Sequence, residues 1–345
     1  MDWTRRGATS AIVSALALGG PATAAIRPKA KVLVNLADLQ DEPLAADADP
    51  ALTKLATARD AAHRVTAPVF INGKGPYEFV VDTGANRTVV ATEVALDLTL
   101  PPGPNAEVNG IAGIETAPTS LIDRLDVGRV NSRKLQAPTL TRERLGADGL
   151  LGVDVLKNRR LTIDFRLNTI TIYRPNSGGF ELRPDAVDTR VGPVVPRRGD
   201  YTVVPARMRF GQLIVIDADL GGVPVVAFLD SGSQNTVGNI QLYEKLKRKP
   251  ELLSPRPLVV QLLSATGQTA RGEFTRVPAL RLGGLAIENI SAVFADLHVF
   301  KLWNLLDRPA ILVGIDVMRH FEGVDLDFAG RKVTFVTPLG SMRPR

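Results

Sequence analysis

The sequence predicts an all-β chain folded as two β-barrel lobes related by a pseudo-twofold axis, and three observations carry that prediction. One unit occurs twice within 345 residues. The segments between turn residues are short runs in which Val, Ile, Leu and Thr alternate with polar residues, the pattern of half-buried strands. Thirty glycines and 24 prolines (Gly 30, Pro 24) punctuate these runs, which leaves little room for long helices.

The repeat is the first of these to justify. Copy one contains Phe79-Val80-Val81-Asp82-Thr83-Gly84-Ala85-Asn86-Arg87-Thr88-Val89. Copy two contains Ala227-Phe228-Leu229-Asp230-Ser231-Gly232-Ser233-Gln234-Asn235-Thr236-Val237. The offset is 230 − 82 = 148 residues, and Thr88 and Thr236 keep it. A second pair of segments closes each copy, Leu150-Leu151-Gly152-Val153-Asp154 and Leu312-Val313-Gly314-Ile315-Asp316, at an offset of 314 − 152 = 162. Copy two therefore carries about 14 extra residues, placed at Val299 to Arg308, where Trp303 and its leucines have no counterpart. Trp303 reads either as core or as an exposed patch. Each closing segment leads into a hairpin pattern, Leu161–Phe165 to Thr169–Ile172 and Val324–Phe328 to Lys332–Phe335.

The remaining elements follow in chain order. Arg5 and Arg6, an apolar run from Ala11 to Leu18 and Ala22-Thr23-Ala24 read as an export signal over residues 1–24. Residues 25–62 form an N-terminal extension or pro-segment. Within it, Lys31 to Leu36 could be a strand that joins the sheet between the lobes or fills the cleft, and Asp49-Pro50 predicts a helix running to about Ala62. The N-terminal lobe spans 63–175, a Pro-, Gly- and charge-rich linker 176–200, the C-terminal lobe 201–338 and a tail 339–345. Short helices are expected at Thr92 to Leu98, at Ile240 to Arg248, and as single turns after Gly152 and Gly314.

Composition removes several function classes. There is no cysteine, so disulfides, thiolate metal sites and cysteine nucleophiles are absent. The three histidines, His63, His298 and His320, lie far apart without metal-binding spacing, and read as surface or packing residues. The net charge of +6 is dispersed rather than gathered into a nucleic-acid-binding stripe. After the signal, no run approaches the ~20 apolar residues that a membrane span needs. No metal, no cofactor, no nucleic-acid partner and no stable membrane insertion are expected, and the chain, outside the cytoplasm once exported, is expected to be a monomer.

The chemistry sits in the repeated triplets. An apolar strand carries each aspartate into a dry interior, the hydroxyl residue fixes the turn, and glycine permits a tight backbone path. Two such turns facing each other bring their carboxylates to about 3 Å, where both cannot ionise and one proton is shared. The ionised partner can then serve as general base on a water while the protonated one donates to a carbonyl.

At these residues the sequence resembles the aspartic protease family, in particular its retropepsin-like branch, built here in the single-chain, two-lobe form of the pepsin-like enzymes. The resemblance covers about Val65 to Val336 and implies a bilobal acid-protease fold of two retropepsin-like lobes. It implies Asp82 and Asp230 as the catalytic pair of an endopeptidase. Thr83 and Ser231 would clasp the two loops, and Gly84, Gly232 and Ser233 would complete the loop support. It further implies flaps at Val108 to Ile114, with Gly110, Ile111 and Gly113, and at Leu263 to Gln268, with Ala265 and Gly267. The substrate would be a polypeptide in extended conformation, part of an exported or membrane-anchored protein. Ser233, but not Ala85, carries a hydroxyl that could bond its carboxylate, so Asp82 is expected to hold more of the shared proton and activity to lie at mildly acidic to neutral pH. The alternative is a catalytically inactive peptide-binding module on the same fold.

Overall fold

A computed structural model describes residues 11–13, 16–18, 52–56, 64–173, 201–209, 211–249, 253 and 256–337. Strands dominate it. In the first lobe, Ile114–Val127, Thr66–Ile71, Lys74–Val81, Gly149–Leu151, Val89–Ala91 and Val130–Leu140 pair in that order. Val130–Leu140 then returns to pair with Ile114–Val127, closing a ring that leaves no free edge. Pro102–Gly110 hangs from this ring as a hairpin with Ile114–Val127.

The second lobe repeats the order with the same register. Thr66 faces Val80 in the first lobe, and Ile214 faces Phe228 in the second, each residue shifted by 148. The counterpart of the long strand Ile114–Val127 is split into Thr269–Arg276 and Leu280–Leu282, and the latter reaches Gln212–Leu220 through Ala218 and Leu282.

Between the lobes lies a shared sheet. The hairpins Arg160–Asp164/Thr169–Tyr173 and Gly323–Asp327/Lys332–Val336 pair antiparallel, Arg160 opposite Asp327 and Asp164 opposite Gly323. Tyr201–Arg209 extends one side and Leu52–Ala56 the other. The sequence predicted helix at Leu52–Ala56, so this is a correction. The strand Thr169–Tyr173 offers an edge of unmet N–H and C=O groups, and pairing with it outweighs a helix start signalled only by Asp49-Pro50. Residues 31–36 lie outside the described residues, as does most of the span read as an export signal.

Helices are short: Thr92–Asp97, Val153–Leu156, Ile240–Lys247 and Ile315–Met318, with Arg142–Leu145 and His298–Leu302 beyond those expected. Among the described residues no helix is long and apolar enough to cross a membrane. The extra segment of copy two adds core side chains, with Val299, Phe300, Trp303 and Leu305 buried while Leu306 and its polar residues face outward. Trp303 is fully buried, stacked on Phe228 with ring centroids 4.2 Å apart, within a cluster that includes Phe300, Leu305 and Leu312. Because Phe228 lies two residues before Asp230, the insertion backs the strand that presents the second aspartate.

A part-buried ion pair, with the Asp325 side chain 3% exposed and that of Arg160 16%, ties the lobes across the shared sheet. Arg160 Nε lies 2.8 Å from Asp325, which also accepts from Thr162 Oγ1 at 2.7 Å, and the Arg160 guanidinium sits 5.1 Å from the Tyr173 ring centroid. Removing one partner of such a pair leaves a desolvated charge. Asp325→Ala should therefore destabilise the protein by about 3 kcal/mol in chemical denaturation, whereas loss of an exposed pair such as Arg124–Asp126 should cost under about 1 kcal/mol.

Candidate active site

Each triplet begins where a buried strand ends. Asp82 follows Lys74–Val81 and donates its backbone N–H to Leu151 O at 3.0 Å; Asp230 follows Val223–Leu229 and donates to Val313 O at 3.0 Å. The turn then folds the backbone onto the carboxylate. Asp82 Oδ1 accepts from Gly84 N and Ala85 N at 2.8 Å each. Asp230 Oδ1 accepts from Gly232 N at 2.9 Å and Ser233 N at 3.2 Å. Both side chains are buried, at 0% and 1% exposure, and their outer oxygens, Oδ2, take no part in these turn bonds.

The two turns hold each other. Ser231 N donates to Thr83 Oγ1 at 3.0 Å and Thr83 N to Ser231 Oγ at 3.2 Å. Ser231 Oγ then donates to Val81 O at 2.7 Å, and Thr83 Oγ1 to Leu229 O at 3.1 Å. Each hydroxyl thus bonds the backbone of the opposite copy. Gly232 must be glycine for a second reason: a Cβ there would overlap the Asp82 carboxylate.

Burial pushes the Asp82 carboxyl above the ordinary carboxylate range. The Arg64 guanidinium, the N–H groups of Gly84 and Ala85 and a hydrogen bond with Asp230 pull the other way. Desolvation is the main cause of the raised Asp82 carboxyl, and the expected role of Ser233 needs correction. Its hydroxyl donates to Asn235 O at 2.8 Å, and the turn bonds to Asp230 Oδ1 come from backbone N–H groups, as they do for Asp82 Oδ1.

Several residues at the site were not singled out from the sequence. Arg64, 2% exposed, donates to Leu145 O and adds positive potential at Asp82. Gln212, 1% exposed, donates to Gly84 O at 2.9 Å and Asn86 Oδ1 at 3.1 Å, reaching from the second lobe to the first loop. They stand 212 − 64 = 148 apart, so the repeat spacing itself was the signal. Asp154 and Asp316, at the starts of the short helices after Gly152 and Gly314, bond the repeated threonines. Thr88 donates to Asp154 Oδ1 through N at 2.9 Å and Oγ1 at 2.7 Å; Thr236 donates to Asp316 at 3.0 and 2.8 Å. Each threonine hydroxyl also accepts from the following segment, from Gly152 N at 3.2 Å and Gly314 N at 3.1 Å. The repeated Thr, Gly and Asp therefore brace the far side of each loop.

The residues expected in flaps form two hairpin tips that meet. Gly110 N donates to Gly113 O at 2.7 Å, and Ser264 N to Gln268 O at 2.8 Å. A Cβ on Gly110 would overlap Thr266 and Ser264, and one on Gly113 would crowd Gln268, which donates to Ile114 O at 3.1 Å. Ala265 is buried, and Gly267 takes a left-handed φ of 83° at its tip. The first tip also reaches into the second lobe: Ile111, 1% exposed, packs in the Trp303 cluster, Val299 N donates to Ile111 O at 3.2 Å, and His298 Nε2 meets Asn109 Oδ1 at 2.9 Å. The insertion in copy two is thus the seat of the first lobe's hairpin tip, which gives His298 a partner that sequence spacing could not reveal.

Among the described residues no three His, Cys, Asp or Glu side chains gather as a metal site. The family of gag-polyprotein aspartyl proteases matches residues 67–158, and an aspartyl protease family matches residues 216–317. No curated protein matches the chain. Among solved structures, an aspartic proteinase from Irpex lacteus is 12% identical, with a TM-score of 0.48 over 84% of this chain and 98% of that one. Basic 7S globulin from soybean is 10% identical, with a TM-score of 0.41 over 83% and 94%.

The close approach of the loops gives a direct test. Gly232→Ala forces a methyl group against the Asp82 carboxylate, so it should cost about 1–3 kcal/mol in denaturation. Gly284→Ala, where nothing lies within 4 Å of the added Cβ, should stay within about 0.5 kcal/mol of the native protein.

Proposed function

The chain belongs to the family of retropepsin-like and pepsin-like aspartic proteases, and from that premise we propose that it is an endopeptidase in which Asp82 and Asp230 activate a water. One observation carries the proposal: two buried aspartates, each folded into its own turn by backbone N–H groups, lie on loops clasped to each other through Thr83 and Ser231. Carboxylates so confined cannot both be charged, so the pair holds one proton across a working pH range.

The division of labour follows from the geometry. Each Oδ1 accepts the N–H groups of its own turn, which holds the two carboxyl groups in fixed orientations for a reacting group. The ionised carboxylate takes a proton from the water as its oxygen attacks the peptide carbonyl carbon, while the protonated one donates to the carbonyl oxygen. Collapse of the tetrahedral species then breaks the C–N bond, and the amine leaves with a proton from the pair. Burial raises the Asp82 carboxyl and Arg64 limits how far its affinity for the proton climbs, and the pair titrates as a unit, so either carboxyl can carry the shared proton.

The substrate we propose is an extended segment of an exported or membrane-anchored protein. Its support is the pair of hairpin tips that meet each other, at the sequence positions where the resemblance implies flaps that hold chain in extended form, and the N-terminal pattern of Arg5, Arg6, the run from Ala11 to Leu18 and Ala22-Thr23-Ala24. On this reading the protein works outside the cytoplasm.

The test is hydrolysis of a diverse unstructured peptide library at pH 3 to 8, beside Asp82→Asn and Asp230→Asn. Either substitution alone should reduce cleavage by at least about a thousandfold, because each removes half of the shared acid–base pair. Activity needs the shared proton, which is lost as pH rises through a raised pKa, so it should peak at mildly acidic pH and persist toward neutrality. Binding of peptides without cleavage by the native protein at any pH would establish the inactive peptide-binding module instead.

A further inference from the structure

The two hairpin tips are equivalent by register but are held by different means. Asn109 and Leu263 form the last pairs of their hairpins, with Ile114 and Thr269, so Gly110 corresponds to Ser264 and Ile111 to Ala265. Each tip also meets a short helix of the opposite lobe. Arg142–Leu145 and His298–Leu302 follow equivalent strands, Val130–Leu140 and Ser291–Ala295, which run parallel to Val89–Ala91 and Val237–Gly238. The first tip rests on His298–Leu302. The second lies against the Arg144 guanidinium, which a Cβ on Gly267 would crowd.

Position by position, the first tip is the better anchored. Asn109 is buried and meets His298 Nε2 at 2.9 Å, whereas its equivalent Leu263 is 38% exposed. Ile111 fills the Trp303 cluster, while the second tip buries only the smaller Ala265 at that position. Burial stabilises in proportion to apolar area, so Ile111 is the harder to withdraw. The backbone adds to the difference. Val299 N donates to Ile111 O at 3.2 Å across the lobes, whereas among the described residues the backbone bonds of the second tip stay inside its own hairpin, Ser264 N to Gln268 O and Gly267 N to Ser264 O. Its outward contacts include two surface side chains: Gln268, which donates to Ile114 O at 3.1 Å, and Arg144, itself paired with Glu115 at 3.0 Å with the two side chains 40% and 28% exposed. Exposed charge pairs hold weakly. Within the tip, Ser264 Oγ and Thr266 Oγ1 lie 2.8 Å apart, a brace that lets it move as one piece.

We propose that the two tips have different jobs. Residues 109–111 are a fixed platform, held on the second lobe with His298 as their positioning residue, and residues 263–268 are the lid that lifts to admit a polypeptide. Local opening draws on the parts of a fold with the fewest buried contacts, and lids that close over substrate are built from such parts. The insertion in copy two is the source of the asymmetry, because it supplies Val299, Phe300 and Trp303 to one tip and has no counterpart beneath the other. The difference in mobility stands on the contacts of the two tips alone; the admission of substrate rests on the protease reading above.

Hydrogen exchange of the full-length chain at the equivalent amides Gly110 and Ser264 is the test, since each donates inside its own hairpin. The protection factor at Gly110 should exceed that at Ser264 by at least roughly tenfold. His298→Ala should lower protection at Gly110 and Val299 by at least about threefold and leave Ser264 unchanged, and His298→Gln, whose amide can still bond Asn109, should restore most of it. Ile111→Val, a change too small to unfold the chain, should act in the same direction as His298→Ala. Protection at Ser264 equal to or above that at Gly110 would overturn the proposal. Unchanged protection at Gly110 in His298→Ala would remove His298 from its positioning role. A statine-containing peptide added to the native protein should raise protection at Ser264 by a larger factor than at Gly110, and the reverse order would overturn the lid assignment. If that peptide does not bind and no library peptide is cut, while Ser264 is still the more open, the protease reading falls and the difference between the tips stands.

Discussion

Bringing two carboxyl groups into one volume away from water is unfavourable unless something else holds them there. In this chain that restraint is the reciprocal bonding of Thr83 and Ser231, in which each hydroxyl links the other copy's backbone and accepts from the other copy's N–H. Much of the surrounding structure serves it. The barrels deliver each loop from a buried strand, the Thr88–Asp154 and Thr236–Asp316 pairs brace the loops from behind, and the sheet between the lobes, with its Arg160–Asp325 pair, limits how the halves can shift. Gly232 is the point of least tolerance, because the opposing carboxylate occupies the space a side chain would need.

The two halves are equivalent in their loops and different around them. Backbone N–H groups support both carboxylates alike, and at Asp82 burial and the nearby charge of Arg64 act in opposite directions. Gln212 stands at the equivalent position without a charge and bonds the first loop instead. The larger asymmetry is the insertion in copy two, which seats the first hairpin tip around Ile111 and stacks Trp303 behind the strand leading to Asp230. One segment thereby links the first hairpin tip to the strand that leads to Asp230.

What the sequence revealed and what it concealed divide along physical lines. Features that repeat were readable, because a matched spacing survives in the letters: the aspartate loops, their trailing threonines, the Gly-Val-Asp and Gly-Ile-Asp segments and the hairpins. Partnerships across the fold were not. Thr88 and Asp154 are 66 residues apart, and nothing local says that they bond. His298 and Asn109 are separated by 189 residues. Ser233 was assigned to its carboxylate because a hydroxyl can turn toward several acceptors, and the Asn235 carbonyl is the one it takes. Leu52–Ala56 became a strand because an edge elsewhere in the molecule needed a partner, a demand that a helix-start signal cannot register.

The central claim is that Asp82 and Asp230 titrate as one unit, and an NMR titration of the protein with 13C-labelled aspartate carboxyls tests it without reference to any substrate. If the pair shares a proton, replacing Asp230 with Asn will shift the titration of Asp82 by more than about one pH unit, as expected for groups in direct contact. If Asp82 titrates at the same pH in the native protein and in Asp230→Asn, the two carboxyls are independent, and the account of a shared acid–base pair is wrong.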